Sequence, residues 1–416
     1  MKVAVIGAGW AGLACAVDAT RAGHAVTLFE AARIPGGRAR RIGDSGLTLD
    51  NGQHILIGAY RATLQLMRDV GVDPGAVLLR MPLSLRFADG GGLALPRLPA
   101  PIDQLVGIAS ARGWTTGDKL SLLRTAVRWR LGGFRCAPDA TVASLCAGVT
   151  PRVMQELIEP LCVSALNTPV GHASGEVFLR VLHDALFSGS GGADLLLPRT
   201  GLGALLPDAA MDWLAQRGAM LRLATRVRAI ALAAGAWVVD GERFDRVVLA
   251  TAPWDAARLV RGSGVAAEAW CAATEALRFE AIATVYVRGA SPLAAPMVAL
   301  RSDAAAPAQF AFDRAQLGGP EGLLALVVSA SDAPRDVLEE QVLAQAARQL
   351  HQQHLEVLQT VVEKRATFAC TPALVRPGMR IAPGLLASGD YIDGPYPATL
   401  EGAVQSGLAT AKALAA

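Results

Sequence analysis

Lysine is nearly missing from this chain. Lys2, Lys119, Lys364 and Lys412 are the whole supply, so arginine carries almost all of the positive charge. We read that bias as a trait of genome composition, not of chemistry. Net charge is also small, +3 from 39 basic and 36 acidic residues, which argues against a nucleic-acid partner. Cys15, Cys136, Cys146, Cys162, Cys271 and Cys370 are scattered, with no CxxC pair and no histidine at ligand spacing. Reduced core thiols are expected, rather than a disulfide framework or a metal site. No internal repeat or low-complexity tract is present. Apolar residues make up 52% of the chain and mean hydropathy is +0.35. Yet no stretch reaches the roughly 18 uncharged apolar residues that a spanning helix needs. The first apolar run, Val3 to Val17, is broken by glycines, meets Asp18 and lacks a clear cationic leader. It does not read as a secretory signal. A cytoplasmic location is the expectation. The surplus of apolar side chains belongs in a core, in a greasy cavity or on a membrane-facing patch.

What is present begins at the first residues. Val3 to Ile6 is a short β-branched run suited to a strand buried on both faces. Gly7, Gly9 and Gly12 fill the GxGxxG pattern, Trp10 to Arg21 reads as a helix with Gly23 just beyond it, and Ala25 to Phe29 reads as a second strand ending at Glu30. Gly7 permits the tight turn, Gly9 lets a pyrophosphate approach the backbone, and Gly12 lets helix and strand pack closely. The amides and positive dipole end of the helix suit phosphates, and a carboxylate at position 30 suits ribose hydroxyls. An unrelated glycine turn is the weaker alternative.

Further strands are expected at 47–49, 220–232, 237–240, 246–250, 281–287, 323–329 and 384–387. Helices are expected at 60–70, 117–135 and 334–350 and from Thr399 onward. Prolines 96, 99 and 101 mark a boundary. The fold class implied is α/β, with a discontinuous Rossmann-like nucleotide domain (1–81, 216–253 and 381–416). Inserted into it is a mixed α+β substrate domain, mainly helical over 82–215 and made of strands and helices over 254–380.

Four other segments have both a functional and a plain reading. Gly36-Gly37-Arg38 lies one loop after Glu30, where a guanidinium can reach a pyrophosphate; a surface turn would look the same. Asp50-Asn51-Gly52-Gln53-His54 begins at a strand tip, where α/β sheets place ligands, or it is an Asx turn. Ser388-Gly389-Asp390 closes a strand, and Thr399-Leu400-Glu401 opens a helix whose amides suit a polarised carbonyl, or the segment is a simple capped helix. On a helical wheel Leu120, Leu123, Val127, Leu131 and Phe134 share one arc, with Arg124, Arg128 and Arg135 on one side and Lys119 and Arg130 on the other. That pattern suits a helix lying in a membrane interface, or one packed on the core with snorkelling arginines.

Together the two ends of the chain resemble the flavin-containing amine oxidase and phytoene desaturase superfamily. Three inner segments, 50–54, 160–169 and 194–199, resemble its hydroxysqualene dehydroxylase branch. The resemblance implies non-covalent FAD held by Gly7, Ala8, Gly9, Trp10, Ala11, Gly12, Glu30, Gly37, Arg38, Asn51, Gly52, Gly389, Asp390, Thr399, Leu400 and Glu401. Val227 would hold adenine through its backbone, and Asn167 and Thr168 would wall the substrate. Asp50, His54, Tyr391 and Tyr396 are the candidate proton donors. The implied activity is reductive loss of an allylic hydroxyl from a long isoprenoid. A carotenoid-type desaturase, an amine oxidase-like enzyme and a non-catalytic flavin and isoprenoid binder are the alternatives. Two departures bear on these choices: no cysteine lies between Gly389 and Gly407, and no lysine lies in Ala281 to Val287. The first disfavours a covalent flavin link and the second disfavours amine oxidation. No second GxGxxG unit is visible, so an external electron donor or reductase is expected.

Overall fold

A computed structural model describes residues 1–42, 49–187, 189 and 191–415. One unit is built on a six-stranded sheet in the order 220–222, 25–29, 2–6, 246–249, 385–387, 380–382. The first five strands run parallel and the last is antiparallel. Parallel strands need both faces covered, which explains the uninterrupted apolar text of Val3 to Ile6 and Val247 to Leu249. Helix Trp10–Arg21 covers one face and packs on the C-terminal helix Leu400–Ala413. Gly407 makes that contact close: a Cβ there would lie 2.2 Å from the Ala11 carbonyl oxygen.

A second, five-stranded antiparallel sheet has the order 297–299, 310–313, 324–329, 279–288, 356–368. Its alternation sorts the side chains. Ala283, Val285, Val287, Leu326 and Val328 face helix Arg335–Gln349, while Tyr286, Phe310, Phe312 and Val327 join the main core. A helical layer completes the molecule, with helices Ile102–Ala109, Thr116–Leu131, Glu159–Leu166 and Gly175–Phe187. Thr115 and Asp118 form a capping box at the second of these.

Several sequence expectations need correction. The strand expected over 220–232 is two, Met220–Arg222 and Ile230–Ala233, and the second belongs to a separate three-stranded antiparallel sheet. The break is local: Ala224 is left-handed (φ 52), and the amides of Ala224 and Thr225 donate to the carbonyls of Ala32 and Glu30. The stretch 82–215 also holds strands Ser84–Arg86, Gly92–Ala94 and Leu195–Pro198. Its last helix, Pro207–Gln216, packs on Trp10–Arg21. The strand expected at 47–49 falls largely outside the described residues, which show Leu49–Asp50 paired with Arg41–Ile42.

Candidate active site

The first helix starts at Gly9, which has extended backbone (φ −73, ψ 175) and no side chain to cap the opening amides. Those first-turn N–H groups have no intrahelical acceptor and need a partner from outside. Glycines 7, 9 and 12 have different roles. Gly7 sits at φ +111, where a Cβ would lie 2.3 Å from the Ala250 carbonyl oxygen, and a Cβ on Gly12 would lie 1.9 Å from the Gly7 oxygen. Both are demanded by backbone packing. A Cβ on Gly9 would meet nothing nearer than the Gly37 Cα at 3.8 Å, so the protein itself does not need that space. The Gly36 amide donates to the Ala8 carbonyl, bringing the two glycine loops together. The Glu30 carboxylate accepts the amides of Ala8 and Ala32, each at 2.7 Å, at the cavity edge.

The opposite wall comes from the other end of the chain. Arg38 Nη2 donates to Asp390 Oδ1 at 2.5 Å, and its Nη1 donates to the Ala366 carbonyl at 2.7 Å. Burial works against the Arg38 charge, but the Asp390 carboxylate outweighs it and holds the guanidinium above its usual value. Thr399 caps the C-terminal helix by accepting the Gly402 amide at 2.9 Å. The Glu401 carboxylate is committed elsewhere, accepting the amides of Ala62 and Thr63 at the start of helix Arg61–Asp69. It therefore presents backbone, not charge, to a ligand.

Between these walls lies one cavity of about 970 Å³ that continues from the glycine turn into an apolar chamber. Leu123 and Val127, Phe178 and Leu182, and Met297 and Phe310 line the chamber from two helices and the second sheet. Of the residues singled out in the sequence, Gly7, Gly9, Trp10, Ala11, Glu30, Gly37, Arg38, Asn51, Gly52, His54, Asn167, Val227, Gly389, Asp390, Tyr391, Tyr396, Thr399, Leu400 and Glu401 all reach this cavity. Ala8, Gly12, Asp50 and Thr168 do not line it.

The physical reasons are local. Gly12 is pressed against Gly7, and the Ala8 amide is spent on Glu30. Asp50 is buried with Oδ1 on the Leu202 amide at 2.8 Å, and its carbonyl accepts the Tyr286 hydroxyl. Its carboxyl is thus a structural cap, not a group aimed at substrate. Burial raises its pKa to about 6, although the Leu202 amide and Arg314 pull the other way. Thr168 donates to the Leu166 carbonyl and accepts the Cys370 amide. Asn167 is left-handed (φ 45); it ties its helix to the second sheet by donating to Thr367 Oγ1 and accepting the Ala330 amide.

The three remaining donor candidates differ. Burial lowers His54 to about 4, so its imidazole is neutral near pH 7 and offers an N–H rather than a charge. Tyr396 donates to Asp184 Oδ2 at 2.7 Å, and burial pushes its phenol up to about 12. Burial also raises the Tyr391 phenol, and that hydroxyl has no hydrogen-bond partner among the described residues.

Sequence reasoning missed strand Glu356–Phe368 and with it Glu363, whose Oε2 accepts the Asn51 side-chain amide at 3.1 Å on the cavity wall. The β-branched run Thr360, Val361 and Val362 was the available signal. It missed Asp184 as well, which only the packing of helix Gly175–Phe187 brings to Tyr396. The segment 117–135 forms helix Thr116–Leu131, which buries Asp118, Leu122, Thr125 and Trp129 and leaves Leu120, Val127 and Leu131 outside. No helix among the described residues is long and apolar enough to cross a membrane, and none of their side chains cluster as a metal site.

The sequence pattern of the family described as flavin containing amine oxidoreductase matches residues 10–415. A hydroxysqualene dehydroxylase of Rhodopseudomonas palustris is 30% identical, over 97% of this chain and 96% of its own length. A second, from Sinorhizobium fredii, is 28% identical over 98% and 96%. In three dimensions the chain superposes on the cyclohexylamine oxidase of Brevibacterium oxydans with a TM-score of 0.71. That likeness, at 15% identity, spans 100% of this chain and 98% of the other.

Proposed function

The chain belongs to the flavin containing amine oxidoreductase family, and from that membership we propose that it is an FAD-dependent hydroxysqualene dehydroxylase. It would replace the allylic hydroxyl of hydroxysqualene with hydrogen, releasing squalene for hopanoid synthesis. The observation that carries this reading is the continuity of the cavity: an open helix N-terminus and a carboxylate at one end lead into a chamber walled by aliphatic and aromatic side chains. That arrangement suits a bound dinucleotide meeting a long hydrocarbon.

The residues fit FAD. The bare Gly9 leaves unclaimed space beside the first-turn amides of the helix, as a pyrophosphate requires. Glu30 would take ribose hydroxyls, the Val227 backbone would meet adenine, and Arg38 with Asp390 would flank the phosphates and ribityl chain. Asn51, Gly52 and the amides of Leu400 and Glu401 would surround the ring. The absence of cysteine from Gly389 to Gly407 supports non-covalent binding. Reduced FAD supplies a hydride when bound, and a separate reductase or free reduced cofactor supplies its electrons.

The chain's own tasks are to exclude water, align the carbinol carbon and bring one proton to the departing hydroxyl. His54, Tyr391 and Tyr396 stay as candidate donors because all three line the cavity, with the Tyr396 hydroxyl already bonded to Asp184. Asp50 drops out, being turned toward Leu202. The test is anaerobic mixing of the flavin-reduced protein with hydroxysqualene. Flavin oxidation with stoichiometric squalene is expected. A flavin that stays reduced, with no squalene formed, overturns the assignment, and reduction of the oxidised flavin by a phytoene-like substrate would replace it with a desaturase.

A further inference from the structure

We propose that the face formed by helices Ile102–Ala109 and Thr116–Leu131 is a dock for an anionic lipid bilayer, through which the cavity takes up its substrate. The inference rests on the isoprenoid reading above for its purpose, but its observations are separate. Exposed large apolar side chains concentrate there: Ile102 and Leu105 are each 52% exposed and Leu131 is 83% exposed, with Leu98, Val106, Leu120 and Val127 around them. The core does not need that surface, because the second helix already buries Leu122 and Trp129 on its other side. Lys119 Nζ donates to the Ala109 carbonyl and joins the two helices into one face.

This patch is continuous with the cavity. Leu105, Val127 and Phe187 are at least 36% exposed and also line it, so they form its rim. A hydrocarbon leaving a bilayer at that rim would pass onto Leu123, Phe178 and Leu182 without crossing water.

Charge selects the partner. Residues 97–135 hold seven basic and two acidic side chains, a net +5 in a chain that nets +3 as a whole, so the rest of the molecule is slightly acidic. Of the two acids, Asp118 is buried in the capping box, and Asp103 bonds the Gln104 amide. Arg97, Arg124 and Arg135 are exposed, and Arg130 lies over the Phe187 ring at 5.9 Å. Apolar side chains bordered by arginines match the boundary between acyl chains and anionic headgroups. The helices lie along such a surface, since neither is long enough to span it.

The experiment is flotation of the flavin-loaded protein with vesicles of neutral phosphatidylcholine, with or without roughly 30% anionic phosphatidylglycerol. Wild type is expected to float with the anionic vesicles and to release as salt is raised. I102E/L131E replaces two exposed side chains that do not line the cavity. It is expected to lose binding by about tenfold or more while retaining its bound flavin. Failure of wild type to bind either vesicle, or equal binding by wild type and I102E/L131E, overturns the proposal. So does concentration-dependent self-association of wild type that the variant abolishes, because the patch would then be a protein contact. Vesicle binding without turnover of hydroxysqualene would remove the assigned activity and leave the dock standing. Turnover of detergent-dispersed substrate without vesicle binding would do the reverse.

Discussion

At the glycine-rich end of the cavity, single atoms decide everything. A Cβ on Gly12 would sit 1.9 Å from the Gly7 oxygen, and one on Gly407 would sit 2.2 Å from the Ala11 carbonyl oxygen. At the apolar end, Leu123, Leu161, Phe178 and Leu182 share the wall with the face of the second sheet. There, volume and polarity matter more than any one position. The first region is backbone meeting backbone, and backbone cannot repack. The second is side chain meeting side chain, and rotamers can. The likeness to a cyclohexylamine oxidase at 15% identity shows that this overall fold tolerates wide sequence change.

The comparison can be broken by experiment. The largest effect is expected from Gly12→Ala, which should cost more than the roughly 3 kcal/mol of ordinary overpacking and yield protein without flavin. Thermal unfolding and the visible spectrum of the purified protein check this. Phe178→Ala, a truncation of a side chain that is 1% exposed, should cost about 3 kcal/mol by leaving a void in the chamber wall. It should keep its flavin, and loss of flavin there would deny that the two ends are independent. Gly9→Ala should separate stability from binding. The unfolding midpoint of the flavin-free protein should hardly move, while flavin affinity falls by about tenfold, or 1.4 kcal/mol, in a fluorescence titration.

Two pH effects are opposite in sign. Asp50 is raised to about 6 in the folded chain, so its contribution to stability is fully present below its ordinary value of 3.8 and is lost as pH rises through 6. Asp50→Asn keeps an acceptor for the Leu202 amide and should gain on the order of 2 kcal/mol over wild type at pH 7, less near pH 4. His54 is lowered to about 4, so its contribution is present above its ordinary 6.5 and is lost as pH falls toward 4. His54→Gln should flatten that acid limb in a series of unfolding midpoints from pH 4 to 7. A limb unchanged in the variant would show that His54 is not the group responsible.

Much of the local structure at the two chain ends was legible because its signals are local. Helix Trp10–Arg21 and strand Ala25–Phe29 have the predicted bounds, and the Thr399 cap sits where its residue type suggests. The substrate side was less legible. Strand Glu356–Phe368 went unread because its surface is rich in charge, yet it supplies Glu363 and Val361 to the cavity. Asp50 was one of four candidate donors, with an Asx turn as the plain reading, and only the arrival of Leu202, 152 positions away, makes it a cap. Likewise, the arc of Leu120, Val127 and Leu131 was visible on a helical wheel, but which face the helix buries depends on Trp129 packing edge-on against Phe178.

From its sequence alone this chain determined a strand, a glycine turn, a bare helix start and a second strand ending in an acid, because these features act over a few residues through backbone conformation. Tertiary structure decided which acids face the cavity, which phenol is left without a partner and where the apolar surplus emerges. Those outcomes depend on contacts between residues hundreds of positions apart, whose desolvation and pairing no local pattern encodes.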